Sequence, residues 1–218
     1  QTAQLVLLDS DFAVLRDVIS EGRRVINNLT KSAGVFFIKT IYSVLLSILC
    51  LILNIDFPFI PIQITLIDAV IEAFPAFFMS FERNDRKVEG TFLGSAIRSA
   101  LPNSIAIFLG CIAVFLAAPH FGVDHEQMNL IMYLTVGIIS LAGVVKASLP
   151  FNRLHVFLSV SSVLGFFCAV LLFAPLLQLL HLAMRGAMLL PLVAIPGILL
   201  AILLRIPVPE KAPLPARK

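Results

Sequence analysis

The chain of 218 residues is 59% apolar and only 13% charged, with a mean hydropathy of +1.00. Soluble domains carry roughly a quarter charged residues, so an ordinary water-facing globule is excluded. The formal net charge of +3 is small and no basic cluster is interleaved with aromatics, so no nucleic-acid partner is expected.

The chain opens on QTAQLVLLDSDF, which has no basic n-region and no cleavage site. It begins without Met and is expected to be a piece of a longer protein. LVLL reads as a short buried strand, and Asp9, Ser10 and Asp11 as a turn and N-cap for a helix starting near Phe12. Val14, Leu15, Val18, Ile19, Val25, Ile26 and Leu29 recur at helical spacing, and nothing stops that helix before the first long apolar run. Residues 1–32 are therefore expected to run as a stalk into a membrane. Six runs follow near 33–53, 60–80, 100–118, 128–147, 154–177 and 187–206, each of the about 17–25 residues that a bilayer requires. The expected fold is all-α and integral to the membrane: a six-helix bundle over 33–206, then a Pro-rich, charged and disordered tail over 207–218.

Charge orients the bundle. The loops on the side of the N-terminus collect all but two of the 16 Lys and Arg residues. The exceptions are Arg185 on the opposite side and Lys39 inside the first span. The positive-inside rule then puts both ends in the cytoplasm, for a multi-pass protein of the cell membrane.

The second run carries the chemistry. In IPIQITLIDAVIEAFPA, Asp68 and Glu72 stand four apart, on one face of a helix. A charged side chain at such depth costs about 3 kcal/mol by insertion scales, and such residues mark ion paths or pair with a base. Two carboxylates one turn apart repel when both are ionised, which makes them a poor choice for packing alone. Pro61 and Pro75 bound or kink the helix and let carbonyls turn towards the site. Gln63 reads as a helix-end contact or as simple interfacial placement. Lys39 has two readings: it snorkels back to the interface, about two turns away, or it is an internal counter-ion for one carboxylate. His120, Asp124, His125 and Glu126 share one short loop on the outer side, either as a metal-capable set or as ordinary exposed polar residues. Cys50, Cys111 and Cys168 lie in apolar spans without CxxC spacing and read as small hydrophobes, not the paired thiolates of a soft-metal path. Gly137, Ser140 and Gly143 read as small residues that let helices approach.

These residues resemble a family. TAQLVLLDSDFAVLRDVISEGRRVINNL resembles the end of the phosphorylation domain of P-type cation-transporting ATPases and the stalk that follows it. PIQITLIDAVIEAFPA resembles the family's sixth transmembrane helix, which in the calcium-pump branch reads P-x-Q, two polar positions four apart, then P-A. The spacing from Asn28 to Pro61 matches that branch without a gap. The resemblance covers roughly residues 1–90; beyond it only the number and orientation of spans agree. It implies spans five to ten of a ten-span pump, with the phosphorylated Asp and the ATP and magnesium site upstream, so that this piece does not itself hydrolyse ATP.

Position by position, the resemblance puts Asp68 where the calcium-pump branch has Asn, Ile71 where it has Thr, and Glu72 where it has Asp. On the fifth span Thr40 replaces an Asn and Ser43 a Glu. The implied ion-binding set is Asp68, Glu72, Thr40 and Ser43, with the metal on Asp68 and Glu72. The eighth span offers no carboxylate, so one hard divalent cation such as calcium, magnesium or manganese is the expected cargo. Some proton-pumping members resemble this chain in having a lysine near the position of Lys39, which leaves proton counter-transport open. The implied partners are the lipid bilayer, the inorganic cation and the upstream part of the same pump. Two other readings stand beside the pump. A six-span secondary transporter would need its own repeat or pair of broken helices, and in a non-catalytic membrane subunit the two carboxylates would be incidental.

Overall fold

Length sets the character of the first element. In a computed structural model that describes residues 14–204 apart from 83, 85, 86, 88, 89, 150 and 180–183, α1 (Val14–Leu53) is a single helix of 40 residues. At 1.5 Å per residue it is about 60 Å long, roughly twice the hydrocarbon core of a bilayer. Its first half therefore stands beyond the other spans as a rod. There Val14, Val18, Ile19, Val25, Ile26 and Leu29 form an exposed apolar stripe. The expected strand at 5–8, the turn at 9–11 and the tail at 207–218 lie outside the described residues.

Five more helices follow: α2 (Pro61–Met79), α3 (Phe92–Ala117, extended by a 3-10 turn Ala118–Phe121), α4 (His125–Ala147), α5 (Arg153–Leu172) and α6 (Met184–Leu203). All six are long and apolar enough to cross a membrane, and no strand occurs among the described residues. The protein is thus an all-α membrane bundle. Its starts and stops have local causes. Pro61 sits in the first turn of α2, where its missing N–H is no loss. The Asp124 carboxylate accepts from the Gln127 N–H at 2.8 Å to cap α4, and the Asn152 side chain accepts from the His155 N–H at 2.7 Å to cap α5. Gly122 ends the 3-10 turn in the left-handed region (φ 62°), which a glycine adopts without strain.

α4 is the central helix. Of its apolar stretch 78% is buried, against 28–50% for the other five, and it touches every one of them. A helix surrounded on all sides must be apolar on all sides or carry small residues. At Gly137 the ring of Phe166 lies where a side chain would start, and at Gly143 the Asn103 amide does the same. The small residues read from the sequence as packing positions do this in the fold. Phe59, Tyr133 and Phe166 continue the core as an edge-to-face and tilted series, with ring centroids 6.4 and 6.0 Å apart. α1 and α3 also approach closely, with Gly34 against Ser99 and the Ser104 hydroxyl donating towards the Ile38 carbonyl at 3.1 Å. Outside, Leu51, Leu171, Met184 and Leu203 are exposed, as the lipid-facing side of a bundle requires.

Gly137→Ala should destabilise the bundle by about 1–3 kcal/mol, because the buried Phe166 ring has nowhere to retreat. Gly22→Ala, with nothing within 4 Å of the added atom, should instead stabilise α1 by up to about 1 kcal/mol. Thermal unfolding of both variants in detergent reads the difference; equal effects would show that Phe166 moves aside freely.

Candidate functional site

α1 and α2 meet at a charged contact in mid-bundle. The Lys39 ammonium donates to Asp68 Oδ2 at 2.7 Å, and both side chains are about a third exposed, at 28% and 33%. The lysine therefore reaches across to the neighbouring helix, in the arrangement of the counter-ion reading. Asp68 opens a π-helical turn, Asp68–Ala73, in which the ladder widens so that the Phe74 N–H bonds the Ala69 carbonyl five residues back. Pro75 follows directly and has no N–H to give, so the turn before it cannot complete an ordinary ladder. π-turns of this kind occur mostly as single turns at functional sites.

Glu72 lies within that turn and is 2% exposed. Its Oε2, Asp68 Oδ1 and the hydroxyl of Tyr42 are all buried without a hydrogen-bond partner. Each such group costs about 1–3 kcal/mol unless something satisfies it. Tyr42 stands three residues after Lys39, is fully buried, and lies within electrostatic reach of both carboxylates. Lys39 and Tyr42 of α1 and the two carboxylates of the π-turn thus sit on the stretch where the two helices are joined by the ion pair. Such a set can exchange a proton or a hard cation for the lysine.

The other residues predicted for this site fare differently. Thr40 is exposed on the far face of α1, and its hydroxyl bonds back to the Phe36 carbonyl at 3.3 Å, so the structure does not bring it to the carboxylates. Ser43 is partly buried, one turn beyond Lys39. Pro61 and Pro75 sit at the start of α2 and just after its π-turn. Gln63 is buried away from the site. Its carbonyl accepts from the Ile60 N–H at 3.1 Å and its amide donates to the Leu177 carbonyl at 3.0 Å, so it clamps the start of α2 to the chain after α5. In the loop between α3 and α4 Asp124 is spent as a cap and His120 bonds the Leu116 carbonyl; no cluster of three metal-capable side chains forms among the described residues. Tyr42 was not anticipated. The available signal was a tyrosine in mid-span, away from the interfacial belts where this residue concentrates.

The other end of α2 is tied to α1 by a second polar contact. The Asn28 amide donates to the carbonyls of Ser80 (3.0 Å) and Glu82 (2.6 Å), and Asn27 donates to that of Asn84 (3.0 Å). The Glu82 carboxylate gathers Lys31 at 3.4 Å, His155 at 3.0 Å and Asn152 at 3.1 Å, joining α1, α2 and α5. Partial burial pushes the Glu82 carboxyl up, but the His155 hydrogen bond and the Lys31 charge outweigh it and hold it below the usual carboxylate range.

No family model matches the chain. Among curated proteins it is similar to a probable cation-transporting ATPase of Streptococcus pneumoniae, 39% identical over 179 residues that make up 78% of this chain and 23% of that protein. A calcium-transporting ATPase of Mycolicibacterium smegmatis is 32% identical over 191 residues, 81% of this chain and 24% of that protein. A calcium-transporting ATPase of Bacillus subtilis is 22% identical over 199 residues, 83% of this chain and 22% of that protein. The chain spans about a quarter of the length of these relatives.

The Glu82 contact makes a pH-dependent contribution with a definite sign. A carboxyl held lower in the fold than in the unfolded chain stabilises above the unfolded value, and that stabilisation is lost as pH falls through the folded value. Glu82→Gln should therefore lower stability by about 1 kcal/mol near neutrality, as expected for a mostly buried ion pair at the end of the bundle with added hydrogen bonds. The gap between parent and variant should close below about pH 4. Thermal unfolding from pH 7 to pH 3.5 measures it, and a gap that widens in acid would reverse the assignment.

Proposed function

The chain belongs to the P-type cation-transporting ATPases, and on that premise we propose that it supplies the ion-coordinating half of the pump's membrane domain, as the last six of ten spans. The observation that carries this reading is the Lys39–Asp68 pair beside a buried, unpartnered Glu72. One lysine balances one carboxylate. The second carboxylate needs a positive charge of its own, and a proton or the transported cation supplies it. Oxygen ligands favour a hard divalent ion. Calcium is the preferred cargo, since two of the relatives are calcium-transporting ATPases.

In this reading the cation displaces the Lys39 ammonium from Asp68 and takes Glu72 as its second carboxylate. When the ion leaves, Lys39 returns to Asp68 and a proton returns to Glu72, so that a proton travels opposite to the metal. Lys39 and Asp68 lie on a flank that is about a third open, where upstream spans of the pump would close the site. The exposed apolar stripe of α1 is where the upstream cytoplasmic part would pack. Both termini lie in the cytoplasm, which is tested by cysteines introduced near Lys87 and Asp124: impermeant reagent should reach only the latter from outside.

In the full-length pump, Asp68→Asn and Glu72→Gln should each abolish cation-stimulated phosphorylation from ATP while the protein still inserts. Lys39→Ala should raise apparent cation affinity roughly tenfold, equivalent to about 1.4 kcal/mol, and slow phosphoenzyme decay, because the emptied carboxylate has lost its counter-ion. Decay measured from pH 6 to pH 8 decides the matter. Unchanged decay at every pH would return Lys39 to the role of a snorkelling residue.

A further inference from the structure

Three contacts fix how α1 and α2 lie against each other. Asn28 meets Ser80, Ser32 meets Ala76 and Lys39 meets Asp68, so the two helices run antiparallel in one constant register. In that register Tyr42, one turn beyond Lys39, and Glu72, one turn beyond Asp68, are displaced to opposite sides of the ion pair. Along the axis they stand about 10 Å apart. Side chains of a helix lean towards its own N-terminus. In an antiparallel pair the two leans oppose, so the Tyr42 phenol and the Glu72 carboxyl both turn back towards the level of the Lys39–Asp68 pair. The two groups are within electrostatic reach of each other.

The hydroxyl of Tyr42 differs from the others on these helices. Thr30, Thr40 and Thr65 each bond the carbonyl four residues back on their own helix. A phenol carries its oxygen too far from its backbone for that. Tyr42 is 0% exposed, so no solvent reaches it, and its hydroxyl has no partner among the described residues. Glu72 Oε2 and Asp68 Oδ1 on the facing helix are in the same condition. The hydroxyl bonds neither carboxylate, and what the three oxygens lack in common is a positive centre.

We propose that the Tyr42 hydroxyl is the neutral ligand of the transported cation, completing from α1 a shell whose charged ligands, Asp68 and Glu72, come from α2. It takes the part that Thr40, turned to the far face of α1, does not. The inference rests on the pump reading of the two carboxylates and adds to it a ligand and a basis for selection. Two carboxylates already balance a divalent ion, so a further ligand must be neutral, and the phenol keeps its proton throughout. Its ring is closed in on all sides, so the span from hydroxyl to carboxylates is set by the spacing of two helices. Magnesium demands a near-ideal octahedron at about 2.0–2.1 Å, whereas calcium accepts irregular shells at about 2.3–2.6 Å. A ligand that cannot move inward favours calcium.

The test compares the parent full-length pump with Tyr42→Phe, which keeps the ring and removes only the oxygen. Equilibrium binding of radioactive calcium, with magnesium and manganese as competitors, reads the ligand, and thermal unfolding with and without calcium reads the fold. Tyr42→Phe should bind calcium about tenfold more weakly and discriminate less against magnesium. Without calcium it should unfold no lower than the parent, because an unpartnered buried hydroxyl has been removed, and calcium should raise its unfolding temperature less. Unchanged calcium affinity with unchanged competition by magnesium overturns the proposal. So does an equal fall in both unfolding temperatures, which marks a packing role. Asp68→Asn and Glu72→Gln keep the two levels apart. If the parent binds none of the three cations, or these two variants bind calcium as the parent does, the pump reading of the site falls; if they lose calcium while Tyr42→Phe keeps it, only the role of Tyr42 falls.

Discussion

A charge inside hydrocarbon needs a partner, and most of what is unusual in this bundle answers to that constraint. Lys39 lies well inside an apolar run, and it is held at 2.7 Å by a carboxylate on the next helix. The pair explains why a lysine is tolerated at that depth, why α1 and α2 must lie side by side there, and why Asp68 faces α1. It leaves Glu72 as the residue with no countercharge of its own. In the proposed function, a site with one carboxylate balanced and one awaiting balance would exchange its positive partners, which a purely structural ion pair would not.

α2 is built to serve that site. At one end Gln63 clamps it to the chain after α5, and at the other Asn28 and Glu82 bind its exit to α1 and α5. Between these fixed ends the ladder is loosened by the π-turn and by Pro75. Both ligand candidates stand in the loosened stretch. A helix pinned at its ends and slack in its middle can reorient two side chains without moving the spans around it. The central helix α4 has the opposite construction: it is buried on every side and carries no carboxylate after Glu126 in its first turn.

Much of this was legible in the residues, and the part that was not has physical reasons. Six apolar runs and the unbroken α1 followed from hydropathy and from the lack of any stop signal, although α3 starts at Phe92, well before the run read from 100, and α5 ends at Leu172, short of 177. Lys39 facing Asp68 was one of two readings that a long, flexible lysine stem left open; the choice depends on the position of a neighbouring helix. Thr40 was carried over from a resemblance, but one step of 100° along α1 turns it to the outer face. The π-turn was invisible because Asp68–Ala73 has no propensity signature distinct from an α-helix. The Glu82 contact joins residues more than 50 positions apart in sequence, a tertiary fact that no local pattern carries. Gln63 was seen as a helix-end residue, but its partner Leu177 lies 114 positions away.

The two polar contacts between α1 and α2 also constrain how the site can open. Lys31 and Lys39 are eight residues apart on one uninterrupted helix, about 12 Å along its axis. One contact, at Asn28, Lys31 and Glu82, is made of several hydrogen bonds and reaches a third helix. The other is a single ion pair. When Lys39 leaves Asp68 the second contact is lost while the first persists, so the helices can part only by swinging about the Glu82 end. A rotation of α1's outer half is then passed through a fixed pivot to the lysine in mid-bundle. In the proposed pump α1 would then be a lever, with its fulcrum at Glu82 and its working end at Lys39.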